Sequence, residues 1–373
     1  MKLNKKMKIL MLAWRDMKNP LKGGAEIVTD IYLSGLSKLG HDVTLFSSKF
    51  PNSKQEETYN NYKIIRKGNK LTVYFHGLIY ATKHQEHYDI IIDQVNTIPF
   101  FTPLTIKKEK RIAYFNQLCL NVWFYEMFFP LSFIGYISEV CYLKLYRNTR
   151  CITISESSKN DLIKYAWAKN NNILISKMQI SFTSLNKPLK KESAFVFVGR
   201  LKKSKRVHDC IKALSLIENN NNNKTKLYII GDGDERYKNQ LKNLAENLNL
   251  TNNIIFLNDI TNQQRNNLMA KCLAILVTSV REGWGLIVTE ANANGTIAIT
   301  YDVNGLRDSN ITGFITKYNT PSALAEYMSL VINPNNKSTI NKKNRDAIAD
   351  AYNYHSDWEK QVGRLEEWMK IKA

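Results

Sequence analysis

A chain of 373 residues, 44% of them hydrophobic, is globular and too long for one ordinary core, so two domains are expected. Lysine and arginine number 53 against 33 aspartate and glutamate; the formal charge of +20 calls for an anionic partner, whether nucleic acid, an acidic membrane surface or a phosphate-bearing substrate. Cys119, Cys141, Cys151, Cys210 and Cys272 have no paired spacing and the six histidines form no ligand set, which argues against a zinc site or a disulfide framework and for a reducing compartment.

Residues 7–14 form a short, mostly apolar run that is broken by Arg15 and Asp16, so a first strand at 9–13 fits better than a signal peptide. Gly23 and Gly24 then precede a helical pattern whose apolar face is read as Ile27, Ile31, Leu33, Leu36 and Leu39, closed by Gly40 before a strand at 43–46. Strand, glycine loop, helix and strand open a doubly wound sheet, and the missing GxGxxG leaves a dinucleotide fingerprint unsupported. The glycine pair is either a tight turn or a close approach for a ligand.

Short apolar runs at 64–65, 90–92, 112–115 and 152–154 continue the α/β pattern, with Asn116 and Gln117 directly after one of them. Residues 123–146 are crowded with aromatics and accompanied by Lys144, Arg147 and Arg150. They read either as a surface for an anionic headgroup layer or as helices packed into the first domain. Glu126, Pro130, Glu139 and Lys144 interrupt this region, so no run is long enough to span a bilayer. Ser155 reads as a helix cap. After a strand at 178–182, the polar stretch 184–193 with Pro188 is the expected linker, giving domains at 1–185 and 190–350.

The second half repeats the pattern, with strands expected at 195–198, 226–230, 254–257, 273–277, 297–300 and 314–316 and a helix at 321–332. Arg200 and Lys205 follow the first of these strands and precede a helix, a position from which cations neutralise a pyrophosphate. Residues 281–295, REGWGLIVTEANANG, read as a glycine-rich loop and a helix starting near Leu286. Gly283 and Gly285 let a ligand reach the free N–H groups of Leu286 and Ile287, where the helix dipole favours phosphate. Glu282 stands in the loop and Glu290 on the helix, so two carboxylates flank one ligand.

These two glutamates, eight positions apart, resemble the Glu-x7-Glu signature of retaining glycosyltransferases of family 4. So do the Gly-Arg-Leu at 199–201 with Lys205 after it and the Ser155, Ser158, Asp161, Leu162 run. The resemblance spans nearly the whole chain and is specific over 195–295. It implies the GT-B fold, two Rossmann-like domains facing each other across a cleft, with the last helix, 356–373, packing back on the first domain; Trp358, Val362, Leu365 and Trp368 or Met369 at helical spacing give that helix a suitable face. It implies a UDP- or GDP-linked donor, with Arg200 and Lys205 on the diphosphate, Glu282 on the sugar, Glu290 on the ribose, and Gly23 and Gly24 beside phosphate or acceptor. Asp259, in the loop 258–261, marks where the base sits.

With protein cations on the diphosphate no Asp-x-Asp metal motif is needed, so no metal and no cofactor beyond the donor substrate are expected, and the expected acceptor is a glycan, lipid-linked or small. The expected place is the cytoplasm, either free or peripheral on the cytoplasmic membrane face. Where the family often has a histidine this chain has Asn116, which exchanges hydrogen bonds but takes up no proton. A catalytically silent scaffold that binds nucleotide sugar is therefore an alternative. Nucleic acid is the weakest partner, because the basic residues are dispersed and carry no recognition signature.

Overall fold

The computed structural model describes residues 6–177, 189–218, 225–356 and 358–371; the expected strand at 178–182, the first half of the expected linker with Pro188, and the Asn-rich stretch 219–223 lie outside them. The chain divides into two units, one of residues 1–120, 134–179 and 357–373, the other of 121–133 and 180–356.

The first unit opens with β1 (Lys8–Leu12), α1 (Gly24–Lys38), β2 (Asp42–Ser47), β3 (Glu56–Tyr59), β4 (Tyr62–Arg66), α2 (Val73–His84), β5 (Ile90–Val95) and β6 (Arg111–Phe115). The four-residue α3 (Trp123–Glu126) follows, then α4 (Leu131–Leu143), β7 (Arg150–Thr153), α5 (Glu156–Ala166) and β8 (Ile173–Ile175). The sheet runs β3-β4-β2-β1-β5-β6-β7-β8 and is parallel except for the β3–β4 hairpin. That hairpin escaped the sequence reading because β3 is Glu-Glu-Thr-Tyr with no apolar run. It is made instead by Asn60 and Asn61, whose φ values of 45° and 68° supply the left-handed pair that a two-residue hairpin turn needs.

Strand alternation covers both faces. Leu10 and Leu12 pack with Val73, Ala81 and Phe100, while Met11 faces Tyr32, Leu33 and Leu36 of α1. The buried stripe of α1 is Val28, Tyr32, Leu33 and Leu36, whereas Ile27 and Leu39 are 43% and 44% exposed. The helix is thus turned relative to the expected face, with Val28 and Tyr32 in place of Ile27 and Leu39 beside Leu33 and Leu36. Ser155 caps α5 by accepting from the Ser158 N–H at 3.0 Å.

The second unit holds β9 (Ala194–Val198), α6 (Val207–Glu218), β10 (Lys226–Ile230), α7 (Glu235–Asn247), β11 (Ile254–Leu257), α8 (Asn262–Lys271), β12 (Ala274–Val277), α9 (Leu286–Ala293), β13 (Ile297–Thr300), α10 (Asn304–Ser309), β14 (Phe314–Ile315), α11 (Pro321–Ile332) and α12 (Lys337–Ser356). Its sheet, β11-β10-β9-β12-β13-β14, is wholly parallel. Phe195 and Phe197 enter the core with α6, α7 and α11, and Ala194 and Val196 enter the core with Met269 and Val288 on the opposite face. A parallel sheet buried on both faces explains why these strands read as continuous apolar runs.

The boundary departs from the expected 1–185 domain, because residues 121–133 group with the second unit. The cause is local: Glu126 of α3 accepts from the Ser204 N–H at 3.1 Å and from its hydroxyl. The final helix, α13 (Trp358–Lys370), lies in the first unit with Leu365 and Met369 buried. Arg150 bonds the carbonyls of Trp368 and, at 2.6 Å, Ile371, and its guanidinium lies 4.0 Å from the Trp368 ring centre. It is therefore a buried helix cap and not one of the surface cations read beside Lys144 and Arg147. No described helix is long and apolar enough to cross a membrane.

Candidate functional site

In the second unit the strand order reverses between β9 and β12, and the loops that leave their carboxyl ends carry the predicted residues. Such a switch point is where open α/β sheets bind ligands. The loops are tied together: the Val280 N–H donates to the Ser204 carbonyl and the Thr278 hydroxyl to the Lys205 carbonyl, both at 2.8 Å. On this frame Lys205 Nζ donates to Glu282 Oε1 at 2.5 Å, and Ser279 Oγ donates to the same oxygen at 2.6 Å. Arg200 follows β9, is exposed, and has no side-chain hydrogen bond or ion pair among the described residues.

The glycine loop is held from beneath. Trp284 stacks on Tyr354 with ring centres 4.9 Å apart, and its indole N–H donates to Thr289 Oγ1 at 2.9 Å. Gly285 caps α9 at φ +89°, a region that L side chains rarely adopt, and a Cβ there would lie 2.6 Å from Leu306 Cδ2. The Gly305 N–H donates to the Glu282 carbonyl at 3.0 Å. Helix α9 begins at Leu286, as the sequence suggests, so the amides of Leu286 and Ile287 occupy the first turn, which has no intrahelical acceptor.

Glu290 lies on the same helix, mostly buried, with Arg265 Nη2 3.3 Å from its carboxylate. Burial raises its pKa and Arg265 opposes that rise. Asp259 is exposed in a left-handed conformation, φ 53°, after the edge strand β11. No bond joins it to the two glutamates, but its loop leads into α8, which carries Arg265.

Gly23, Gly24 and Asn116 belong to the first unit. The Gly23 N–H donates to Glu26 Oε2 at 2.6 Å, and Glu26 pairs with Arg15 at 3.1 Å; a Cβ on Gly24 would meet nothing within 4 Å. Asn116 directly follows β6, with both amide atoms buried and unpartnered. The loop beyond it is fixed by Glu139, which accepts from the N–H groups of Cys119 and Leu120 at 2.7 Å each.

The predicted residues thus fall into two sets, one on each unit. Sequence reading missed Ser279, Arg265 and Glu139. Ser279, three residues before Glu282, carried a local signal; Arg265 and Glu139 reach partners 25 and 19 or 20 positions away that only the fold brings near. Among the described residues no three His, Cys, Asp or Glu side chains gather as metal ligands.

Residues 180–353 match the family described as "Glycosyl transferases group 1". The capsular polysaccharide biosynthesis glycosyltransferase CapM of Staphylococcus aureus is 25% identical over 266 residues, 64% of this chain and 66% of that protein, just under two thirds of its length. Among solved structures, sucrose-phosphate synthase from Thermosynechococcus elongatus superposes with a TM-score of 0.76 at 17% identity, over 97% of this chain and 98% of that one. Anabaena HepE in complex with UDP and glucose does so with a TM-score of 0.73 at 15% identity, over 97% and 99%. At such identities the likeness establishes the fold, GT-B.

Proposed function

We propose that this chain, whose residues 180–353 match the group 1 glycosyl transferases, is one of them and moves a hexose-type sugar from a UDP- or GDP-linked donor to an acceptor with retention of configuration. The observation that carries the reading is the Lys205–Glu282 pair at the β9–β12 switch point, with the unpaired Arg200 on the adjoining loop and the start of α9 behind them. As the glycosidic bond breaks, negative charge grows on the departing diphosphate. Cations and helix amides already in place stabilise that charge without reorganising. Glu290, supported by Arg265, accepts hydrogen bonds from the ribose diol, and Glu282 orients the sugar.

Because protein cations neutralise the leaving group, no metal is required, and turnover is expected to survive a chelator such as EDTA. The UDP held by Anabaena HepE and the polysaccharide role in CapM's name support a nucleotide donor and a glycan acceptor. In this reading the acceptor is lipid-linked or small and the protein works in the cytoplasm, free or peripheral on the membrane face. Asn116 carries a second reading, a scaffold that binds the donor without turnover, since an amide neither gives nor takes a proton. Its unpartnered buried amide suits a bond to a sugar hydroxyl in either case.

Thermal unfolding with UDP, GDP and their sugar-linked forms tests the reading. A ligand at a hundredfold excess over its Kd stabilises by about 2.7 kcal/mol, so one nucleotide raises the midpoint of the wild type and not of Arg200→Ala. No shift with any nucleotide at millimolar concentration overturns the donor site. Release of nucleoside diphosphate from the bound sugar nucleotide, measured with candidate acceptors, separates enzyme from scaffold.

A further inference from the structure

Next to the Lys203–Lys205 turn the second unit holds an open groove of about 740 Å³, lined by Lys203 and not by Lys205 or Glu282. Three short pieces of chain make it. Phe124, Tyr125, Met127 and Phe128 form one wall, on and after α3. From α6, His208 and Lys212 stand one turn apart. From α7, Tyr237, Leu241 and Leu244 give an apolar floor, and Arg236 and Gln240 stand above it. The volume lies within the range of pockets that hold drug-sized ligands.

Charge and apolar surface are segregated within it. Lys203, Lys212 and Arg236 are exposed and have no carboxylate partner among the described residues. The one lining carboxylate, Glu126, is already taken by Ser204 and lies 3.7 Å from Lys202. Asp209, beneath the rim, is paired with Arg206 at 2.6 Å. His208 is fixed by hydrogen-bond contact with the Tyr237 hydroxyl at 3.0 Å. The aromatic wall stays bare to solvent, Phe124 at 49% and Phe128 at 71% exposure. Exposed aromatic surface is unfavourable in water, and beside unpaired cations it suits a phosphate joined to a hydrocarbon chain.

We propose that this groove binds a single-chain lipid phosphate, with the chain along Phe124, Phe128 and the α7 floor and the phosphate on Lys203, Lys212 and Arg236. None of the donor residues lines it, so it stands or falls independently of the nucleotide site.

Titration of the whole chain with dodecyl phosphate below its micellar concentration tests this, with octyl phosphate, inorganic phosphate and dodecyl maltoside as comparators. Dodecyl phosphate is expected to bind most tightly; the four methylenes that it has beyond octyl phosphate strengthen binding by on the order of a hundredfold when buried. The double variant Lys212→Glu/Arg236→Glu is expected to weaken it at least tenfold, and Phe128→Ala severalfold, with the nucleotide-induced thermal shift unchanged. Equal binding of inorganic phosphate or of the uncharged maltoside overturns the proposal, as does an unchanged affinity in both variants. Loss of sedimentation with phosphatidylglycerol vesicles in the variants, without any binding of monomeric alkyl phosphate by the wild type, overturns it too, in favour of a membrane-facing surface.

Discussion

Lys205 and Glu282 hold each other at 2.5 Å, so in the proposed reaction diphosphate binding draws the lysine from a carboxylate to a phosphate. A charge-assisted bond exchanged for another changes ground-state binding little. The same lysine facing a growing negative charge changes the barrier more. Lys205→Met is therefore expected to lower kcat by about 10²- to 10³-fold with a smaller change in KM, measured by nucleoside diphosphate release. Glu290 offers a pH test. Burial raises its folded carboxyl above 4.5, so between the unfolded and folded values the native chain binds the additional proton and stability falls as pH rises. Ribose hydroxyls bond best to the ionised form, so nucleotide affinity rises as pH climbs through that folded value. Glu290→Gln removes this component, and affinity profiles that superpose for wild type and variant rule out the ribose role.

At the scale of elements, the site depends on two turns with little freedom. Gly285 joins loop to α9 at φ +89° with Leu306 close behind it. Gly285→Ala is expected to cost roughly 1–3 kcal/mol, read as a lowered thermal midpoint, and to weaken nucleotide binding by tilting the start of α9. In the first unit, Arg66 at the end of β4 is fully buried and bonded bidentately to Asp16 at 2.7 and 2.9 Å, with Glu57 at 2.5 Å. The sequence presented Asp16 only as an interruption after an apolar run. Asp16→Ala leaves a buried guanidinium with one carboxylate and is expected to destabilise by about 3–5 kcal/mol in urea unfolding. An effect below about 1 kcal/mol would mean that Glu57 alone compensates the charge.

For the whole molecule, the C-terminal helix closes the first unit with polar bonds as well as apolar ones. The His41 ring accepts from the Met7 N–H at Nδ1, 3.1 Å, so Nε2 carries the proton donated to Glu366 at 2.9 Å. Arg150 caps the end of the same helix. Arg150→Ala is expected to speed hydrogen exchange across residues 358–370 while leaving the second unit's exchange unchanged; equal protection in wild type and variant would show that Leu365 and Met369 suffice. The +20 charge sets another whole-molecule expectation: affinity for any polyphosphate ligand falls as salt rises, because dispersed cations act through a screened field.

Composition, strand runs and local spacing by themselves determined two α/β halves, the start of α9 at Leu286 and the placement of Glu282 and Glu290 on loop and helix. Those features arise from neighbours in the chain, where period, capping and glycine carry the information. The tertiary structure alone decided that Arg265 supports Glu290, that Glu139 fixes the loop after Asn116, that residues 121–133 join the second unit and that Arg150 is a cap. Each of these joins groups far apart in sequence, through a carboxylate or guanidinium whose partner no local pattern names. Buried polar groups must find partners somewhere, and packing alone determines where.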